Sequence, residues 1–387
     1  MKNLKRILSF MLVALMVLSF AGCHEKDEIA VTIGDVEFTS AYYMCALINA
    51  DSEAKNIVYE SLTDEEKNGE KQFDLYSKKV EDKDYVKWVE EKAINTLKET
   101  AAYKILCKEN KLDLDAEMME QIDMYADYYW QSGSAYYELN GVGEKTYKNY
   151  MKDSYYSELY FEHLYGKDGE KEIKADEVKE KIYSSFITAN ILEANFTSEM
   201  KDADKTALKE KIDAYAKDLK DGKKTFKQVY NDYNGVKEEE SHEGHDHTSS
   251  TTTSSVTSAT SDTTSSTSSA TTEKEEVKTP KDEYATVIGD EGTGYEFDQY
   301  KAIKEMKTGE IKVIEVKDVG YVLVIKQDIT ADDYYLESLD MTARHLLKDD
   351  EFDKTMDEYI KKLTVDVDDY AVDQFEVKKI KEPETAY

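Results

Sequence analysis

The sequence predicts an α+β fold in which a long helical region is followed by a shorter region where strands alternate with helices. Three observations indicate it. Apolar residues recur at helical spacing through much of the first half of the chain. After residue 186, short runs rich in β-branched residues alternate with amphipathic stretches. The chain also has only 2 prolines in 387 residues, which favours uninterrupted helices and strands.

The first region, residues 29–186, is predicted to be helical apart from an opening hairpin. In IAVTIGDVEFTS, apolar residues flank Gly34-Asp35, a dipeptide that favours a tight turn. Thr39 or Ser40 can cap the helix that follows. Further helices are expected at about 84–110, 114–131, 143–165 and 174–186.

The second region is predicted to begin with the strand ITANILEANF. Two helices should follow, over ADKTALKEKIDAYAKDLKDG with its end at Gly222, and over TFKQVYNDY. A strand, a helix and two strands are expected in YATVIGD, FDQYKAIKEM, EIKVIEV and GYVLVIKQDI. A long helix at about 333–362 and an extended segment, LTVDVDDYAVDQFEV, then complete the chain.

Residues 234–282 interrupt the second region with a segment that cannot form a core. Its centre is almost entirely Ser and Thr, so a disordered insertion is predicted. Such a tract is either O-glycosylated or a plain spacer, and the sequence leaves both open. His242, His245 and His247 lie close together at its start, and imidazole suits Zn²⁺, Ni²⁺ or Cu²⁺. Because nothing would orient these ligands, a solvated linker with at most weak metal capture is expected, and no cofactor.

The first 23 residues resemble a bacterial lipoprotein signal. A basic start precedes the apolar run Ile7 to Phe20, which is too short to span a bilayer as a stable helix. Two small residues then precede Cys23. The resemblance predicts a signal peptide over residues 1–22, lipidation of Cys23 and a tether over 23–28. The protein would be held on the extracytoplasmic face of the cell membrane. An ordinary signal peptide or an anchor with a chance cysteine is the alternative.

Charge and cysteine content limit the classes of partner and chemistry. The formal net charge of −32 should repel nucleic acid and anionic lipid headgroups. Cys45 and Cys107 are interpreted as two buried thiols, with a single bridge between them as the alternative. The sequence has no Gly-rich phosphate loop, no Ser/His/Asp set and no spaced cysteine cluster.

The order of the predicted elements resembles the extracytoplasmic foldase family typified by the lipoprotein PrsA and the periplasmic chaperone SurA. Its members place a parvulin-type peptidyl-prolyl isomerase domain between two parts of a helical chaperone domain. IAVTIGDVEFTSAYY is similar to the N-terminal hairpin and first helix, and FDKTMDEYIKKLTVDVDDYAVDQF to the C-terminal return segment. The positions carried over in the second half of the parvulin domain are Phe297, Ala302, Met306, Gly309, Glu310, Gly320 and Tyr321.

This resemblance implies a division of the chain into chaperone and parvulin-like parts. The implied parts are a helical chaperone domain over 29–186, parvulin-like halves over 187–233 and 283–329, and a C-terminal helix and return segment over 330–387. Among the carried positions, Phe297, Met306 and Tyr321 are expected to bind the peptide.

The usual catalytic histidines are replaced at the matching positions. The family's Ser-His-Ile-Leu motif corresponds to Ala189-Asn190-Ile191-Leu192, so Asn190 stands in the histidine position. Val322 follows Gly320-Tyr321, where a second histidine is usual. Prolyl isomerisation needs only stabilisation of a twisted amide, with a barrier of about 20 kcal/mol. Asparagine can still donate a hydrogen bond but valine cannot, so weak or absent activity is expected.

The resemblance thus implies a lipid-anchored foldase or chaperone whose partners are unfolded, newly secreted polypeptides. An active isomerase with a rearranged site and a non-catalytic surface binding lipoprotein are the alternatives. The tyrosine-rich run MYADYYWQSGSAYYELNG has two interpretations: it lines a groove for unfolded segments, or it packs into the helical core.

Overall fold

The computed structural model describes residues 28–236, 279–290 and 295–383. The described residues divide into two compact units, those up to residue 172 and from residue 350 onward as unit 1 and those between 173 and 349 as unit 2. Both helix and sheet are present, which agrees with the predicted α+β class. The predicted signal peptide, the lipidation of Cys23 and the cluster of His242, His245 and His247 lie outside the described residues. No helix in the described ranges is long and apolar enough to cross a membrane.

The elements of the first part of the chain are β1 (Ile29–Ile33), β2 (Val36–Thr39), α1 (Ser40–Ser61), α2 (Asp64–Lys67), β3 (Lys79–Val80), β4 (Lys83–Asp84), α3 (Tyr85–Glu109), α4 (Ala116–Leu139), α5 (Glu144–Ser154) and α6 (Tyr156–Tyr165). The next elements are α7 (Ala175–Ser185), β5 (Phe186–Asn195), α8 (Asp202–Lys220), α9 (Phe226–Asn234), β6 (Ala285–Gly289), α10 (Tyr295–Lys304), β7 (Ile311–Val316) and β8 (Gly320–Lys326). The last are α11 (Tyr334–Ser338), α12 (Asp340–Ile360), β9 (Val365–Val367) and α13 (Asp369–Val372).

Unit 1 is a helical core with a small sheet at its edge. Strands β1 and β2 form the predicted hairpin, with Gly34 at φ +61° in its turn. The Thr39 hydroxyl accepts a hydrogen bond from the Tyr42 amide and so caps α1, as predicted. Strand β9 of the return segment pairs with β1, which gives the antiparallel order β2-β1-β9. Cys45 and Cys107 are both free and buried, as the first interpretation held.

Several predicted elements of unit 1 differ from those observed. The helix expected at 114–131 extends to Leu139, because its Ser and Gly residues are tolerated within the helix. The single helix expected at 143–165 is divided at Tyr155 into α5 and α6. The β3–β4 hairpin was not predicted, since its strands have only two residues each. The return segment contains β9 and α13 and is therefore not simply extended.

Unit 2 is an antiparallel sheet in the order β6-β5-β8-β7, with helices on both faces. Its chain order of strand, two helices, strand, helix and two strands is the predicted one. One face packs on α8 and α9, and the other packs on α10. Gly320 has φ +157°, and an added Cβ would lie 2.3 Å from the Ala194 carbonyl oxygen, so only glycine fits there.

The boundaries of unit 2 include segments beyond its sheet. Helix α7 belongs to unit 2, and the Arg344 guanidinium of α12 donates to the Ile173 carbonyl oxygen at 3.0 Å within the same unit. The helix predicted at 333–362 is two helices, α11 and α12. The domain boundaries given above from the sequence, after residues 186 and 329, stay predictions.

Candidate functional site

Asn190, which stands in the parvulin histidine position, is buried in β5 with 1% of its surface exposed. Its amide nitrogen donates to Asp282 Oδ2 at 2.9 Å, and its amide oxygen accepts from Gln327 Nε2. The Gln327 backbone amide in turn donates to the Thr188 carbonyl oxygen at 2.8 Å. The nitrogen and the oxygen of the Asn190 amide are thus both hydrogen-bonded to side chains of the protein itself.

The segment before β6 is fixed by the same group of contacts. The Lys281 amide donates to Asp332 Oδ2 at 2.7 Å, and the Lys281 ammonium donates to the Ala331 carbonyl oxygen at 2.6 Å. The first of these bonds is the largest cause of a lowered pKa at Asp332. The Tyr284 amide donates to Asp282 Oδ1 at 3.0 Å. Asn190 therefore helps to anchor the chain where it enters β6.

Val322, the second position of the expected histidine pair, lies on the other face of the sheet. Asn190 is directly opposite Ile325 in the β5–β8 register, and Val322 is opposite Glu193. Successive residues of a strand alternate between faces, so positions 190 and 193 point in opposite directions. Val322 packs against Tyr300 and other residues of the α10 side. The structure therefore does not bring the two positions together.

The three residues expected to bind peptide have different surroundings. Met306 is buried on the α10 face of the sheet. Tyr321 is buried on the opposite face, where its ring makes an edge contact with Phe196 at 5.4 Å between centroids. Phe297 lies in α10, but its side chain is outside the described residues. Because Met306 and Tyr321 fill the unit's own core on opposite faces, they form no common peptide surface.

Helix α4 of unit 1 carries the tyrosine-rich run. Asp115 caps its N-terminus by accepting a hydrogen bond from the Met118 amide at 2.8 Å. Only Ile122 and Ala126 are buried along its 24 residues. Towards its C-terminus, Tyr137 packs against the core, with its ring 4.6 Å from that of Tyr147. This half of the run therefore follows the core-packing interpretation.

The middle of α4 exposes a continuous group of large side chains, here called the aromatic surface. Its members are Met124 (59% exposed), Tyr125 (37%), Tyr128 (68%) and Tyr129 (49%). At about 100° per residue, Met124 and Tyr128 share one stripe of the helix and Tyr125 and Tyr129 share the adjoining one, so the four side chains span an arc of about 140°. The rings of Tyr128 and Tyr129 make an edge contact at 5.4 Å. This part of the run therefore follows the interpretation in which tyrosines face outward.

Reactive groups are not part of this arrangement. Burial raises the pKa of the Cys107 thiol to about 12, so it stays protonated near neutral pH. Within the described residues, no group of three or more His, Cys, Asp or Glu side chains is placed to hold a metal ion. The chemistry available at the aromatic surface is thus non-covalent: burial of apolar area, ring contacts and hydrogen bonds from phenol groups.

Comparison with known proteins gives structural likenesses only. No protein-family model matches the chain, and no curated protein matches it. The chain is similar to the foldase protein PrsA of Streptococcus pneumoniae strain Canada MDR_19A, at 13% identity, over 69% of this chain and 82% of that one, with a TM-score of 0.35. It is similar to PrsA of Lactococcus lactis, at 14% identity, over 92% and 99%, with a TM-score of 0.36.

A third solved structure, PrsA of Bacillus subtilis, is similar at 15% identity, over 73% of this chain and 91% of that one, with a TM-score of 0.30. These proteins are the same PrsA-type foldases that the sequence resembles. Because the TM-scores are below 0.5, the function proposed below rests on the contacts of this chain.

Proposed function

We propose that this chain is a membrane-anchored extracytoplasmic foldase or chaperone that holds unfolded secreted polypeptides. The observation that carries the proposal is the aromatic surface of α4. Four large exposed side chains on two adjoining stripes of α4 offer apolar area that a bound segment would remove from water, at about 25 cal/mol per Å². Tyrosine contributes wide contact area with few rotatable bonds and a polar edge, which suits partners of varied sequence.

Unit 2 is proposed to be a parvulin-like module placed between the two parts of a helical chaperone unit. Its order of elements supports this, as does the return of the chain to unit 1 from residue 350 onward. We expect little or no isomerase activity. Asn190 is buried and bonded on both sides, and Val322 lies on the opposite face, so they offer a twisted prolyl amide no joint donor pair.

The membrane anchor is part of the proposal and is supported by the sequence alone. A basic start, a short apolar run and Cys23 after two small residues fit a lipoprotein signal. Incorporation of labelled fatty acid into the expressed protein, compared with a Cys23→Ser variant, tests it. Equal labelling of both would contradict lipidation at Cys23.

The holding activity is tested by suppression of aggregation. The protein lacking residues 1–23 is mixed with a client diluted from denaturant, and light scattering is followed. We expect suppression at stoichiometric amounts, and at least a tenfold higher concentration requirement for Tyr125→Ser/Tyr128→Ser/Tyr129→Ser, since exposed tyrosines are typical binding hot spots (about tenfold or more). Stability should change little, because the side chains are exposed.

Tyr370→Ser is the matched control, because Tyr370 is a 76% exposed tyrosine elsewhere in unit 1. It should leave suppression unchanged. No suppression by the wild-type protein at stoichiometric excess would contradict the proposal. A protease-coupled prolyl isomerisation assay decides the alternative function, since a rate clearly above buffer would favour an active enzyme.

A further inference from the structure

We propose that the aromatic surface selects cationic segments of unfolded clients, in which Lys or Arg residues lie among apolar ones. This inference rests on the proposed function and adds the chemistry of the client. Two independent observations on α4 support it: the distribution of carboxylates around the surface, and the absence of the protein's own lysines from its rings.

Helix α4 is acidic, chiefly in its first half. It carries the carboxylates Glu117, Glu120, Asp123, Asp127 and Glu138, and its sequence has no Lys, Arg or His. Asp127 is paired with Lys148 of α5. Within the described ranges, no ion-pair partner lies within reach of Glu117, Glu120 or Asp123, and all three are exposed.

Two of these three carboxylates, Glu117 and Glu120, lie beside the aromatic surface. At about 100° per residue, Glu117 falls on the same stripe as Met124 and Tyr128, seven and eleven residues later. Glu120 is one turn before Met124, whereas Asp123 lies about 100° round the helix from Met124, on the side away from the rings. A cation bound against the rings would therefore lie close to the carboxylates of Glu117 and Glu120.

Several exposed rings elsewhere in unit 1 are covered by a lysine, although Tyr370 of the described chain is not. Three of them have a lysine ammonium over the ring: Lys67 over Tyr59 at 5.2 Å, Lys78 over Phe73 at 5.3 Å and Lys378 over Tyr76 at 5.5 Å from the centroid. In the part of the chain that the structure describes, no lysine or arginine lies over Tyr125, Tyr128 or Tyr129. These ring faces remain accessible to a cation from a partner.

The partner chemistry follows from both observations together. A Lys or Arg side chain can place its charge over a tyrosine face while a carboxylate lies nearby, and apolar neighbours in the client can cover Met124. A second copy of this chain is a poor occupant, because each copy has a formal net charge of −32. The electrostatic field of this negative charge would speed the approach of cationic segments and slow that of acidic ones.

The test compares two labelled peptides that share length and apolar residues but carry Lys and Arg in one and Asp and Glu in the other. Fluorescence anisotropy with the protein lacking residues 1–23 should give at least about tenfold tighter binding of the cationic peptide at low salt. The ratio should fall towards one at about 1 M salt, where the Debye length is about 3 Å.

A charge variant separates the aromatic surface from the bulk charge of the protein. Glu117→Gln/Glu120→Gln/Asp123→Asn should reduce the preference for the cationic peptide about fivefold or more while suppression of aggregation persists. The control Glu65→Gln/Glu70→Gln/Glu109→Gln removes the same charge from exposed positions elsewhere in unit 1 and should keep the preference.

Each outcome bears on one proposal or on both. Equal affinity for the two peptides, with suppression of aggregation intact, would overturn the cationic selection and leave the proposed function standing. An equal loss of preference in the charge variant and its control would also overturn it, because bulk charge would then be the cause. No binding of either peptide and no suppression would overturn both proposals.

Discussion

Helix α4 of unit 1 and strand β5 of unit 2 both carry residues that the sequence marks as functional, but they present them in opposite ways. The aromatic surface of α4 is exposed, and its rings carry no lysine of the described chain. Asn190 of β5 is buried, and both ends of its amide are bonded within unit 2. The exposed groups are available to a partner, whereas the buried amide stabilises its own unit.

This contrast separates binding from catalysis in the two units. A client needs accessible area and tolerates variation in geometry, which one helix face can supply. A hydrogen-bonding site made jointly by two side chains needs both on the same face of the sheet. In the β5–β8 register, the side chains at positions 190 and 322 lie on opposite faces. We therefore expect the binding of unfolded clients to depend on unit 1, and we expect isomerase activity to be negligible.

The largest expected effect comes from the core of unit 2. Leu323 is fully buried with Leu192 and Ile212 on one face of the sheet, so Leu323→Ala should lower the free energy of unfolding by about 2–5 kcal/mol. Thermal and denaturant melts measure the loss. Suppression of aggregation at a temperature where the variant stays folded should match the wild type. Loss of suppression in that folded protein would show that holding also depends on unit 2.

Restoring histidines is expected to have an intermediate effect. Asn190→His and Val322→His should each cost about 1–3 kcal/mol as single variants, because the imidazole is larger than the space and lacks its partners. The double variant is assayed for activity. Isomerase activity should not appear, since the two side chains would lie on opposite faces. A clear gain in a protease-coupled assay would mean that the positions do meet, and the contrast between the units would fail.

The smallest effect near neutral pH concerns buried and half-buried tyrosines of unit 1. Burial raises the pKa of Tyr43, Tyr136, Tyr150 and Tyr156 to about 12, against about 10 in an unfolded chain. Their contribution to stability is complete below about pH 10 and is lost as the pH rises towards the folded values. The melting temperature should therefore be flat to about pH 9 and fall above about pH 10. Tyrosinate absorbance measures the ionisation of these phenols. If they ionise fully and the melting temperature does not fall, this prediction is contradicted.

The sequence predicts most helices and the order of strands in unit 2, because long amphipathic stretches and β-branched runs have strong periodicity. It misses the β3–β4 hairpin, whose strands are too short to show alternation. It also misses the break at Tyr155, since the flanking residues are all compatible with a continuous helix.

The candidate sites depend on orientation, which the sequence constrains less. Motif matching aligns Asn190 and Val322 with two histidines, but only the strand register shows that the two side chains lie on opposite faces of the sheet. A shift of one residue would reverse the face of either side chain. For α4, the tyrosine run contains both inward and outward positions, so composition alone leaves both interpretations open. Counting from the buried pair Ile122 and Ala126 puts Tyr128 outward and Tyr137 inward, but it also puts Tyr129 inward, although that side chain is 49% exposed.

The most direct test places a photo-crosslinking amino acid at Tyr128 or at Tyr370, two highly exposed tyrosines of unit 1. Each variant is irradiated with an unfolded client, and covalent complexes are counted by gel electrophoresis. The proposed holding surface predicts strong client crosslinking from position 128 and little from position 370. Equal yields from both positions, or a higher yield from 370, would contradict it.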